Sequence, residues 1–220
     1  MTAAPALCSG EAQSAPAAEH AWQHASSDEG HSIHIDISPD EELFLDRDPA
    51  TLTSLGQNLK RALALEPKSS VLLCIDQLVK YGIVATVSDI AFEAGAEKLF
   101  FIVARPGARW PDVYGFDCAK PVELTQPTDS PELSLQHGKN QSLEGGINGN
   151  IFSSVGELLA VLAEIMQTRP LAGRRFFVKP ANDVLYRDVI ALMDGASTAG
   201  TEYFVLWTPK SSNAFPRPIS

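Results

Sequence analysis

Three features are scarce in this chain, and each scarcity excludes something. Its 220 residues include 3 cysteines, Cys8, Cys74 and Cys118, scattered too widely for a disulfide framework or a thiolate metal site. Basic residues number 17 against 27 acidic ones, a net charge of −10, and the only basic runs are pairs such as Lys60-Arg61 and Arg174-Arg175. That balance repels phosphate backbones and anionic lipid, so nucleic acid is not an expected partner. Long apolar runs are missing too. No stretch approaches the roughly 20 apolar residues that cross a bilayer, and the first thirty residues lack the basic start and apolar core of a secretory signal.

Catalytic signatures are equally sparse. There is no phosphate-cradling glycine loop, no Gly-x-Ser-x-Gly elbow and no His-Glu-x-x-His helix. Gly145-Gly146-Ile147-Asn148-Gly149-Asn150 reads as a turn, and Glu123, Asp129 and Glu132 lie in a proline-rich stretch with no sign of the burial that raises a carboxyl pKa. His20, His24, His31 and His34 invite a metal reading, but no apolar period holds their segment in a helix, and a solvated tail is the simpler reading. The expectation is a protein that is not an enzyme and holds no metal or cofactor.

What is present is an ordinary globular composition, 45% hydrophobic and 20% charged, in a chain long enough for two small domains. Residues 1–31 carry no hydrophobic period and read as a flexible tail. Ile33, Ile35 and Ile37 then alternate with Ser32, His34 and Asp36 as a strand, and Leu43-Phe44-Leu45 completes a hairpin. Asp48-Pro49 reads as a helix start, with Leu52, Leu55, Leu59 and Leu63 on one face of a helix that ends before Pro67. Val71–Ile75 is a buried strand. Val84, Val87, Ile90, Ala91 and Ala94 form a second helical stripe closed by Gly95, and Leu99–Val103 is another buried strand. The order ββαβαβ predicts an α/β (α+β) unit, a small mixed sheet with two helices on one face.

Residues 105–130 read as linker. A faint strand signal falls within it at Val122-Glu123-Leu124, and the next unit, 131–210, opens on a weak hairpin with a faint strand signal at Leu133-Ser134-Leu135. Helical spacing returns at Val155, Leu158, Leu162 and Ile165. It is followed by a strand at Phe176–Val178, a helix over about Tyr186 to Ala199 capped by Gly200, and a strand at Tyr203–Trp207; residues 211–220 form a tail. Offsetting the chain by 105 positions superposes Val71–Val103 on Phe176–Thr208 without a gap. Eight of the 33 positions are identical: Val79/Val184, Tyr81/Tyr186, Val84/Val189, Asp89/Asp194, Ala91/Ala196, Ala94/Ala199, Gly95/Gly200 and Glu97/Glu202. The preceding helices align at an offset of 103, so a loop changes length while the core spacing persists.

Valine, alanine and glycine are what any strand–helix–Gly–strand unit prefers at such places. Tyr81 and Tyr186 are not. Each follows a matched valine by two residues and opens a helix, where its ring is expected to cover the end of the core with the hydroxyl in water. Asp76 and Asp183 sit at strand ends before helices and are expected to cap free amides. Cys74 reads as a small core residue, Trp207 as a core residue at a strand end, and Trp110 as an exposed ring open to recognition.

The segment from Val71 through Asp76, Val79, Tyr81 and Val84, followed by Asp89 and Ala94-Gly95-Ala96-Glu97-Lys98, resembles the ExbD/TolR biopolymer-transport proteins. Residues 32–104 are similar to that family's whole periplasmic domain. The second unit repeats the pattern in degenerate form, with Ala181 in place of Asp76 but Asp183, Val184 and Tyr186 kept. The resemblance implies a non-catalytic part in a proton-motive-force-driven envelope complex, on the periplasmic face of the inner membrane. Its implied partners are an ExbB/TolQ-like channel subunit and a TonB-like protein or the cell wall. The candidate partner contacts are Asp76, Val79, Tyr81, Asp183, Val184 and Tyr186, and strand addition at a sheet edge is the physical mode. The family's proton-linked Asp lies on a transmembrane helix that this sequence does not contain, so no residue here inherits that role. A homodimer or an internal pseudo-dimer is expected. The alternative is a binding or scaffold module, cytoplasmic, that kept the fold without the motor.

Overall fold

The computed structural model describes residues 32–103, 112–117, 131–169, 175–201 and 203–206. By compactness the chain divides into two units, residues 1–79 with 87–122, and residues 80–86 with 123–220. The expected contributions of His20, His24, His31, Cys8, Cys118, Trp110, Trp207 and the Val122–Leu124 strand lie outside the described residues.

The first unit's sheet runs in the order β3-β2-β1-β4-β5-β6. Its strands are β1 (Ser32–Ile37), β2 (Leu43–Leu45), β3 (Asp48–Ala50), β4 (Ser70–Ile75), β5 (Lys98–Val103) and β6 (Asp112–Asp117); α1 spans Leu52–Leu65 and α2 Tyr81–Ala94. β1, β4 and β5 are parallel, and β2, β3 and β6 join antiparallel. Ile33, Ile35 and Ile37 stand beside Val71, Leu73 and Ile75 on one face, all buried. Leu55 and Leu59 of α1 are fully buried, each worth about 1.5–3 kcal/mol relative to exposure. On the opposite face Leu72, Cys74 and Ile102 form a second buried cluster with Phe100 packed against it. The uninterrupted apolar run of β4 is explained by this burial on both sides.

Two expectations change here. Asp48-Pro49 does not start a helix. It forms β3, an edge strand where a residue without an N–H is tolerated, and the helix begins at Leu52 behind a Thr51 cap. Thr51 Oγ1 accepts from the Ser54 N–H at 3.1 Å, and Ser54 Oγ accepts from the Thr51 N–H at 2.9 Å, a reciprocal capping box. β6 falls within the stretch expected to be linker, and it pairs with β5 along its whole length.

The second unit contains β7 (Glu132–His137), β8 (Leu143–Ile147), β9 (Asn150–Phe152), α3 (Val155–Thr168), β10 (Arg175–Pro180), α4 (Tyr186–Thr198) and β11 (Tyr203–Leu206). Its sheet order is β11-β10-β7-β8-β9, with β10 parallel to β7 and β11 and the β7-β8-β9 meander antiparallel. Among the described residues this is the first unit's connectivity without a counterpart of β6.

The local devices recur as well. Asp46 Oδ1 accepts from the His34 N–H at 2.8 Å while the Asp46 N–H donates to the His34 carbonyl at 2.9 Å. Asn148 does the same with Glu132, at 2.9 Å in both directions. The two turn residues share a left-handed backbone, φ 49° and 50°. Ser154 caps α3 as Thr51 caps α1. The opening hairpin expected to be weak is the longer one: Leu133–His137 pairs with Leu143–Ile147, whereas only Ile35–Ile37 pairs with Leu43–Leu45. Gly145-Gly146-Ile147 is therefore strand rather than turn, and the turn is Asn148-Gly149 alone. The glycines at 145 and 146 hid the strand because they lack β-propensity. They are there for space, since an added Cβ at Gly145 would run into the Leu158 side chain and one at Gly146 into Ser134 Oγ.

Candidate functional site

The repeated motif lies in the loops that leave β4 and β10. At the end of β4 the Asp76 N–H donates to the Ile37 carbonyl at 3.1 Å, fixing the loop's first residue to β1. Asp76 Oδ1 then accepts from the Leu78 N–H at 2.8 Å, and the Asp76 carbonyl from the Val79 N–H at 3.1 Å. The carboxylate thus closes its own Asx turn instead of capping α2, which starts at Tyr81. The turn holds Leu78 outward, at 46% exposure.

The loop after β10 is built alike without the carboxylate. The Ala181 N–H donates to the Leu135 carbonyl at 2.7 Å, and the Ala181 carbonyl accepts from the Val184 N–H at 3.2 Å. Asp183, at the place of Leu78, is exposed. It does not cap α4, whose N-cap is Leu185 with no side-chain hydrogen bond.

Residues 80–86, counted with the second unit, meet this loop. The Tyr81 N–H donates to the Val184 carbonyl at 2.8 Å and the Gly82 N–H to the Asn182 carbonyl at 2.9 Å, while Lys80 forms an antiparallel bridge with Leu185. First-turn amides of α2 therefore end on peptide carbonyls, the task expected of Asp76. A Cβ on Gly82 would lie 3.0 Å from Asn182 Cβ and 3.1 Å from its carbonyl oxygen, so glycine at this position permits the approach. Lys80, Gly82 and Asn182 carry no sequence signal for this, because the contacts are made by backbone.

Of the six candidate contact residues, the structure joins Tyr81 and Val184 by that backbone bond and buries four. Val79, Val184 and Tyr186 are 0% exposed and Tyr81 is 2% exposed. The hydroxyl expected in water is not there: Tyr186 Oη is enclosed. These side chains are core plugs that shape the loops, and Asp76 and Asp183 are the members reached from solvent. Gly95 and Gly200 follow α2 and α4 with φ 100° and 97°, a backbone that L side chains rarely adopt.

Among the described residues no group of three or more His, Cys, Asp or Glu side chains is placed to hold a metal. Cys74 is buried. No helix among the described residues is long and apolar enough to cross a membrane.

Residues 10–105 match the family model described as ExbD, biopolymer transport protein ExbD/TolR. No curated protein matches the chain. The matched segment, less than half of the chain, is similar to the ExbD/TolR biopolymer transport proteins, and it includes the Asp76–Tyr81 loop and every element of the first unit up to β5.

Proposed function

We propose that this chain, similar to the ExbD/TolR proteins over residues 10–105, is a non-catalytic component of a proton-motive-force-driven envelope complex that works by binding partners through its folded units. The family match is the observation that carries the reading. By resemblance the partners are an ExbB/TolQ-like channel subunit and a TonB-like protein or the cell wall, at the periplasmic face of the inner membrane. The second unit is read as a diverged copy of the first. Support comes from the shared strand order, the paired Asp46 and Asn148 turns and the matched glycine closures.

Partner binding by strand addition has a physical basis in the sheet edges. β3 is guarded by Asp48 and Pro49, β9 is three residues long, and β6 carries Asp112 and Asp117 at its ends with Gly115 between. β11, with the sequence Tyr-Phe-Val-Leu, has no charge, proline or glycine, and β10 is its one strand partner among the described residues. In the first unit the corresponding strand, β5, carries antiparallel β6 on that side. An extended partner segment running antiparallel to β11 fits the same geometry.

Affinity purification of the chain from its native host, in detergent, tests the proposal. Enrichment of an ExbB/TolQ-like channel subunit is the expected result; its absence from a preparation that retains other inner-membrane assemblies overturns it. The alternative, a soluble scaffold with internally paired units, predicts a strict monomer by size-exclusion chromatography with light scattering, whereas the family's behaviour predicts a concentration-dependent dimer.

A further inference from the structure

We draw no further inference here: the strongest candidate, the surface cleft at the β7–β8 hairpin lined by Gln136, His137, Lys139, Asn140, Ser142 and Glu144, mixes both charges around a half-buried His137, and no second observation in the structure points to a ligand.

Discussion

Exchanging one pair of residues between the helices of the second unit should cost far less than changing either alone. In the first unit Gly56 of α1 faces Ile90 of α2, where an added Cβ would sit 3.4 Å from Ile90 Cγ2. In the second unit the corresponding positions are Leu159 and Gly195, with the large and small partners reversed. A Cβ on Gly195 would lie 2.9 Å from Leu159 Cδ2 and 3.2 Å from Cγ, and closer still to Cδ1. Gly195→Ile alone overpacks the crossing, at about 1–3 kcal/mol, less the ~0.5 kcal/mol regained when a helix interior loses a glycine. Leu159→Gly alone loses a half-buried side chain and adds a helical glycine, together about 2 kcal/mol. The double substitution installs the first unit's arrangement with isomeric side chains, and should return to within about 1 kcal/mol of the parent, a coupling of ~2 kcal/mol. Urea unfolding followed by far-UV circular dichroism gives the energies, and amide exchange in α3 and α4 locates them. If the double substitution is as unstable as the two singles summed, the helices of the two units do not cross alike, and the inference that one unit is a copy of the other loses its main packing argument.

Four further outcomes are expected. Tyr81→Ala and Tyr186→Ala each remove a fully enclosed ring and should cost about 3–5 kcal/mol by denaturant titration; a cost below 1 kcal/mol would mean these rings are not the core plugs described. Asp76→Ala should cost about 1 kcal/mol by losing the bond from the Leu78 N–H, with amide exchange at Leu78 rising, and Ala181→Asp should stabilise by a similar amount, provided the new carboxylate accepts from the Asp183 N–H. Gly95→Ala and Gly200→Ala should each lower stability by about 1–2 kcal/mol through backbone strain; nothing lies within 4 Å of a Cβ on Gly95, so an unchanged thermal midpoint there would contradict the φ assignment. Thr51→Ala should cost about 1 kcal/mol with fraying confined to the first turn of α1, read by exchange at Ser54.

The legible parts of the fold were those whose signal is side-chain periodicity. Ile33, Ile35 and Ile37 announce β1, the leucines at 55, 59 and 63 announce α1, and Gly95 and Gly200 mark the helix ends because a positive φ admits little else. β3 was hidden behind Asp48-Pro49, a pair that serves equally at a helix start and at a sheet edge; which role it takes depends on β2 lying beside it. β6 was hidden because Asp112, Gly115 and Asp117 break the apolar pattern, and its place is set by pairing with β5. The Asp76–Tyr81 motif was visible in its spacing, but its mechanics were not. A carboxylate before a helix suggests a cap, while the observed Asx turn and the peptide-to-peptide bonds of Tyr81 and Gly82 depend on backbone geometry that residue types do not report.

Partner binding at the β11 edge is tested most directly by amide hydrogen exchange on the intact chain, alone and with the periplasmic region of a TonB-like protein from the same host. Slowed exchange in β11, Tyr203–Leu206, with α3 and α4 unchanged, is the expected result. Binding that leaves β11 exchanging at its original rate would contradict it.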